Sequence, residues 1–228
     1  MMIVIISFLL LQCKEEPKLK ARINRITGKV VIVTNSSTKP ASVGDLLLSN
    51  DQIRTETDAT VDLMFPGGMV IRLKDQSQMT VNELGSQCRL TIENGAILVG
   101  SNKLKANESL TVQTPTVVAA VRGTSFLASA TDHTIAVYTG QIAVERDGES
   151  VVAEPMKQVH TNETKLQTVR LDSKSGAALR ELLEIDGIEK LNDFDDLQKN
   201  LAIFSLDTKT GNVPVQKKRI DPLQVHEK

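Results

Sequence analysis

Apolar and polar residues alternate along much of this chain. From residue 60 to residue 65, and again from 69 to 74, every second side chain is aliphatic, aromatic or methionine, and Pro66-Gly67-Gly68 separates the two runs. A period of two with a glycine-containing turn is typical of β-strands whose two sides meet different surroundings. These runs predict antiparallel strands or stacked solenoid rungs.

An internal repeat supports a β architecture. The pattern Gly-x-aliphatic-x-aliphatic begins at Gly28, Gly95 and Gly140, and each copy is followed by an alanine and, six residues later, by another apolar residue. Repeated β units that share a core explain such a pattern. Chance is the alternative, because glycine before alternating aliphatic residues is common in β proteins.

The stretch around Arg122 draws attention because a charged residue stands there in the most apolar part of the chain that follows the N-terminal apolar run. Residues 110–126 indicate a strand, a proline-marked turn and a second strand. Because a buried charge is costly unless it is paired, we expect Arg122 to be a buried clamp that contacts a carboxylate, with Asp45 and Asp51 as the candidates. Gly123 indicates a close backbone approach or a bulge. A partner contact by Arg122 is the less favoured alternative.

The residues Val121-Arg122-Gly123-Thr124-x-Phe126 resemble the signature of the FecR family of envelope signalling domains. Gly44-Asp45, Asp51-x-Ile53-x-Thr55 and Val137-x-x-Gly140-x-Ile142-x-Val144 fit the same family in order and spacing. The resemblance implies a mainly β fold, β-solenoid-like or a β-roll, and we assign it to residues 22–171. It also implies a tendency to bind a protein partner.

The hydrophobic period changes after Leu171. Residues 172–206 have near-helical spacing, so they predict a short α-helical extension of two helices separated at Asp186-Gly187, with Ser173 or Ser175 as a cap. We expect the helices to cover an open end of the β core, whereas a partner-binding helix is the alternative. Residues 207–228 predict a flexible tail, and its Lys217-Lys218-Arg219 is too short to indicate nucleic acid binding.

The N-terminus predicts a lipoprotein. Residues 1–12 form an apolar run, too short to span a bilayer, that suits a signal peptide. The sequence Leu9-Leu10-Leu11-Gln12-Cys13 resembles a bacterial lipobox, so Cys13 is the predicted lipidation site and residues 13–21 a lipidated tether. The alternative is an apolar N-terminus without processing. Cys88 then remains a single cysteine, which we interpret as a small buried hydrophobic residue.

The sequence predicts no enzyme. The three histidines are far apart, and the chain has no metal-ligand spacing, phosphate loop or dinucleotide motif, so we expect no metal, cofactor or catalytic residue. Ser125, in an alternating strand, lacks the strained turn of a nucleophile. Aromatic residues make up only 3% of the chain, with no tryptophan, which argues against stacking on bases or sugars.

We therefore expect a non-enzymatic, lipid-anchored protein of the bacterial cell envelope, on the outer-membrane, periplasmic or surface side, that acts as an interaction or signalling scaffold for another envelope protein. No segment resembles the cytoplasmic anti-sigma part of the family, so the role of sigma regulator is not carried over. A surface-exposed adhesin that binds host matrix or plasma proteins is the alternative, and a glycan binder is a weaker third possibility.

Overall fold

The computed structural model describes residues 19–210, and these form two β-sheets and a layer of helices. The predicted signal peptide, the lipidation site Cys13 and residues 211–228 of the predicted tail lie outside the described residues. In chain order the strands are β1 (Ala21–Thr27), β2 (Val30–Val33), β3 (Thr38–Pro40), β4 (Leu46–Leu47), β5 (Gln52–Thr55), β6 (Thr60–Met64), β7 (Val70–Leu73), β8 (Gln78–Glu83), β9 (Gln87–Asn94), β10 (Ala96–Gly100), β11 (Ser109–Gln113), β12 (Val118–Val121), β13 (Phe126–Ser129), β14 (Thr134–Val137), β15 (Ile142–Arg146), β16 (Glu149–Ala153), β17 (Lys157–His160) and β18 (Thr168–Arg170).

Each sheet has nine strands, and we name the sheets by what lies on their outer faces. The covered sheet has the order β18-β17-β14-β13-β10-β7-β6-β1-β4, and the open sheet has the order β16-β15-β12-β11-β9-β8-β5-β2-β3. All pairings are antiparallel except that of β9 with β11. The mainly β prediction is confirmed, and the solenoid or roll stays a prediction.

The alternation of the sequence builds the core between the two sheets. Ile53, Leu90, Ile97 and Phe126 are fully buried there, and they come from strands of both sheets. The side chains on the other side of each strand face outward, so the same pattern leaves two outer faces to be covered or exposed.

The glycines of the internal repeat all precede strands. Gly28, Gly95 and Gly140 have φ values of +69°, +77° and +69°, which a residue with a side chain rarely adopts. They lead into β2, β10 and β15, of which β2 and β15 lie in the open sheet and β10 lies in the covered sheet. The repeat thus marks strand starts in both sheets.

Two helices cover the outer face of one sheet. Helix α1 (Ser173–Leu182) and helix α2 (Phe194–Lys209) follow β18, with a 3₁₀ turn at Ile188–Lys190 between them. The pair of short helices is confirmed. Asp172, and neither Ser173 nor Ser175, caps α1, since its carboxylate accepts a hydrogen bond from the backbone N–H of Ser175 at 2.8 Å.

The helices pack against the face of the covered sheet, whereas the sequence led us to expect them over an open end of the β core. A second apolar cluster joins Leu98 and Tyr138 of the sheet side to Leu179, Leu197 and Phe204 of the helices. Many outward residues of the covered strands are themselves apolar, so this face needs a layer that shields them from water.

A buried ion pair lies under the end of α1. Asp62 in β6 and Arg72 in β7 stand opposite each other, and the guanidinium donates two hydrogen bonds to the carboxylate, at 2.6 and 2.8 Å. Arg72 also donates to the carbonyl of Glu181 at 3.1 Å. Arg25 lies 3.3 Å from Asp62 and donates to the carbonyl of Glu184 at 2.9 Å. The two arginines thus satisfy carbonyls at the end of α1, where cations are favourable.

The charge on Arg72 is held firmly. The hydrogen bonds that the guanidinium of Arg72 donates to Asp62 raise its pKa, and they outweigh the opposite effect of its burial. Asp62 points outward from the β core, but the helix layer buries it, with only 2% of its surface exposed.

We predict that Asp62→Ala lowers the free energy of unfolding by about 3–5 kcal/mol, because it leaves Arg72 buried without its partner. The measurement is urea unfolding followed by circular dichroism. The double variant Asp62→Leu with Arg72→Met removes both charges and should lose less.

The matched control is Glu83→Ala, which breaks the exposed pair of Glu83 with Arg89 and should cost less than about 1 kcal/mol. Equal losses for Asp62→Ala and Glu83→Ala would contradict a structural role for the buried pair.

Candidate interaction surface

Arg122 is exposed on the outer face of the open sheet, so the prediction of a buried clamp is wrong. Along β12 the burial alternates, with Val118 and Ala120 outward and Ala119 and Val121 inward. Arg122 continues the outward series. Its side chain forms no ion pair or hydrogen bond with any residue from 19 to 210. The prediction was wrong because the apolar residues before Arg122 lie on two faces of the strand, and only one of these faces belongs to the core.

The predicted partners of Arg122 instead hold local turns. Asp45 accepts a hydrogen bond from the backbone of Ser42 at 3.0 Å and lies 3.1 Å from the ammonium of Lys39. The Ser42 N–H and then Lys39 lower the pKa of the Asp45 carboxyl. Asp51 accepts a hydrogen bond from the backbone of Leu48 at 2.8 Å. Both carboxylates close a local turn by accepting from the backbone N–H three residues earlier, and neither forms a hydrogen bond or an ion pair with Arg122.

The close backbone approach predicted at Gly123 is confirmed. A Cβ atom on Gly123 would lie 2.1 Å from the Cα atom of Lys103, and the φ value of Gly123 is +69°. A Cβ atom on Gly140 would in turn lie 2.6 Å from the carbonyl oxygen of Gly123. The loop before β11 and the turn before β15 therefore meet at this glycine, which fixes the end of β12.

Ser125 is buried and contributes to the packing of α2 against the covered sheet. Its hydroxyl donates to the carboxylate of Asp193 at 3.1 Å, and Thr139 donates to the same oxygen. No histidine contacts Ser125 among the residues that the structure describes. Within that same part of the chain, no group of three or more His, Cys, Asp or Glu side chains is placed to hold a metal ion.

Cys88 is buried beside the core between the sheets. Burial, and to a smaller extent the charge of Glu83, raises the pKa of its thiol to about 12. The thiol is therefore protonated near neutral pH, which fits the interpretation of Cys88 as a small hydrophobic residue.

The outer face of the open sheet carries small and apolar side chains near one edge. Ala120 in β12 stands opposite Ala143 in β15, which stands opposite Val152 in β16. Val118 and Val152 expose 38% and 52% of their surface, respectively. A patch of small and apolar side chains on the outer face of a sheet is a surface that another protein can pack against.

A groove crosses the same face where two hairpins end. It has a volume of about 580 Å³ and lies between residues 113–118, at the β11–β12 turn, and residues 145–150, at the β15–β16 turn. Strand β16 beside it is the last strand of the open sheet. The face, the groove and this edge form one continuous candidate surface. In the described part of the chain, no helix is long and apolar enough to cross a membrane.

Residues 51–143 match the FecR protein family. This segment runs from the start of β5 into β15 and supplies the centre of both sheets, including Arg122 and Gly123. That region of the chain is therefore FecR-like. No curated protein sequence matches the chain.

Two crystal structures of a candidate anti-sigma factor from Parabacteroides distasonis ATCC 8503 are similar in fold. One has a TM-score of 0.50 at 17% sequence identity and covers 57% of this chain and 64% of its own chain. The other has a TM-score of 0.49 at 18% identity and covers 57% and 63%. This chain thus spans less than two thirds of the length of those proteins, and the likeness concerns the fold alone.

We predict that Arg122→Ala changes the free energy of unfolding by less than about 0.5 kcal/mol, because an exposed side chain without partners stabilises little. Gly123→Ala should destabilise the protein far more, since its methyl group would clash with the backbone at Lys103. Urea unfolding of both variants measures the difference. A large loss for Arg122→Ala would mean that the guanidinium has a buried partner.

We predict that Cys88 does not react with a thiol-specific disulfide reagent at pH 8 in the folded protein and reacts at once in urea. A Cys13→Ser background leaves Cys88 as the only cysteine, so the absorbance of the released thiolate reports this residue alone. Rapid reaction without urea would contradict the burial of the thiol.

Proposed function

We propose that this protein is a non-enzymatic interaction module of the bacterial cell envelope, with a regulatory or signalling role, held to the membrane by a lipid on Cys13. The observation that carries the proposal is the FecR-like segment 51–143, which forms the centre of the sandwich and includes most of the open face. A family of envelope signalling domains and a surface free to bind support the same role.

The two sides of the sandwich support binding by the open sheet. Helices α1 and α2 occupy the outer face of the covered sheet and bury its apolar side chains. Among residues 19–210 no such layer lies over the open sheet, and Val118 and Val152 are exposed on it. A binding surface on a rigid sheet needs little reorganisation when the partner arrives, so less affinity is lost to ordering. We apply the solenoid or roll hypothesis only to the repeated hairpins that build this sheet.

The proposal of a signalling role draws on the solved structures that are similar in fold. Those proteins are described as a candidate anti-sigma factor, and their likeness to this chain extends over 57% of it. We propose that this module, like a sensor domain, changes its partner rather than a substrate.

Lipid anchoring at Cys13 would hold the module at a membrane surface. The cysteine follows the apolar run of residues 1–12 and precedes the first strand, which begins at Ala21. Two acyl chains on one cysteine give stable anchoring, because each buried CH₂ contributes about 0.8 kcal/mol. Such an anchor at the start of the chain would leave the sandwich in the aqueous compartment.

We predict that the full chain incorporates radiolabelled palmitate in bacterial cells and fractionates with membranes, whereas Cys13→Ser does neither. Cys88→Ser is the matched control and should label like the wild type. Failure of the wild-type protein to incorporate palmitate would contradict the proposed lipid anchor. Protease added to intact cells separates the two locations, because cleavage without permeabilisation would favour the surface adhesin over a periplasmic module.

We further predict that a photo-crosslinking amino acid at Ala120 or Ala143, on the open sheet, yields a discrete adduct with an envelope protein in living cells. The same amino acid at Leu206, which is 63% exposed on α2, is the control and should yield none. Adducts at Leu206 alone would move the binding surface to the helices. Absence of adducts at all three positions would contradict the interaction role.

A further inference from the structure

The four edges of the two sheets differ in how they are protected against pairing with another chain. Unpaired edge strands are usually short, or carry proline or lysine. Strand β3 has three residues and includes Lys39 and Pro40, β4 has two residues, and β18 has three residues. Strand β16 has five residues, Glu149–Ala153, with neither proline nor lysine. It is therefore the least protected edge of the described sheets.

The backbone of β16 offers two complete hydrogen-bonding sites on its free side. The turn between β15 and β16 is Asp147-Gly148, with φ values of +50° and +81°, and Arg146 pairs with Glu149 across it. In such a two-residue hairpin the closing pair is hydrogen-bonded, and the direction then alternates along the strand. The N–H and C=O groups of Ser150 and Val152 therefore point away from β15.

These groups have no other partner in the described part of the chain. None of the backbone hydrogen bonds outside the strand ladders involves Ser150 or Val152. Ser150 and Val152 are also exposed on the outer face. A strand added here would extend the open sheet and satisfy four backbone groups at once.

The groove beside this edge is acidic. Glu145 and Asp147 are exposed and form no ion pair with the described residues, and both line the groove of about 580 Å³. The cation between them is occupied, because Arg146 donates to the carbonyl of Thr161 at 2.8 Å and lies 3.4 Å from Glu149. Two free carboxylates at the end of an unprotected strand favour a cationic ligand.

We propose that β16 binds an extended segment of a partner protein as an added strand, and that a lysine or arginine of this segment lies in the groove near Glu145 and Asp147. The proposal rests on the interaction function above and names the site and the chemistry of the partner. Backbone hydrogen bonds supply affinity, and the basic side chain selects the segment and its direction.

A second copy of this chain fits the edge poorly. An antiparallel copy that uses both Ser150 and Val152 would be centred on Val151, so Glu154 of one chain would lie between Asp147 and Glu149 of the other. Like charges facing each other across strands are destabilising. The carboxylates around β16 thus disfavour pairing with itself while they favour a basic segment.

The test uses the full chain and an acetylated peptide of alternating threonine and valine with one lysine at each end. Binding is followed by fluorescence anisotropy and by amide chemical shifts. We expect saturable binding, with the largest shifts and slowed amide exchange at Ser150 and Val152. A peptide with glutamate in place of both lysines should bind at least about tenfold more weakly. Failure of the lysine peptide to bind would overturn the proposal.

Two substitutions at one position separate the edge from the side chain. Val152→Pro removes an N–H that points away from β15, so the hairpin is kept while the added strand loses a donor, and binding should fall at least about tenfold. Val152→Thr keeps the N–H and should bind like the wild type. Both variants should unfold near the wild-type urea midpoint. Unchanged binding by a folded Val152→Pro variant would overturn the proposal.

A second pair of substitutions tests the groove. Glu145→Gln with Asp147→Asn should remove the preference for the lysine peptide over the glutamate peptide and leave the exchange protection at Val152 in place. An unchanged preference would overturn the assignment of the basic side chain to the groove. Leu206→Ser on α2 is the control for loss of an exposed apolar residue and should alter nothing.

Other occupants of the edge are separate outcomes. A dimer in sedimentation equilibrium that Val152→Pro dissociates would overturn the choice of a partner segment in favour of a second copy. If the peptide bound to a chain that ends at Thr210 but not to the full chain, the occupant of the edge would be residues 211–228, which include Lys217-Lys218-Arg219, and the choice of a partner protein would be overturned. If crosslinking at Ala120 and Ala143 persists in the Val152→Pro variant, the interaction function stands and this binding mode fails.

Discussion

The architecture depends on a two-pronged contact between a carboxylate and a guanidinium on neighbouring strands. Asp62 and Arg72 lie on the outer face of the covered sheet, at the place where α1 ends. Both carboxylate oxygens accept a hydrogen bond from the guanidinium, so the two charges are tolerated in this buried layer. Arg25 extends the contact to the loop after α1 through Glu184. The helices are thereby positioned along the sheet as well as held against it.

This contact distinguishes the outer face of the covered sheet from that of the open sheet. The covered sheet has a polar anchor within an apolar face, and it receives a layer of helices. The open sheet has alanine and valine near its β16 edge and mainly polar and charged side chains elsewhere on its outer face, and nothing from residues 19–210 lies over it as a layer. The protein can therefore present one broad flat surface while the other stabilises the fold. A partner on the open face would meet a surface whose backbone is fixed from below by the shared core.

The sequence allowed the strands, the strand-starting glycines and the pair of helices to be predicted, because each depends on local period and turn chemistry. It did not allow the faces to be told apart. Arg122 stands after Val118, Ala119, Ala120 and Val121, and a run of small apolar residues on both sides of a strand conceals which side is core. Asp62 illustrates the opposite difficulty. A carboxylate on the outward side of a strand indicates solvent unless a later element covers it, and α1 begins more than a hundred residues further along the chain.

The order of strands within each sheet follows the order of the chain, apart from the first few strands. Hairpins are laid down alternately in one sheet and then in the other, and both sheets grow toward β16 and β18. Each new hairpin needs only neighbours that have already been synthesised, so loop closure remains short at every stage. Such a plan suits assembly that proceeds from the amino end of the chain. The helices come last, and until they dock, the apolar residues that they cover in the folded protein remain exposed to water.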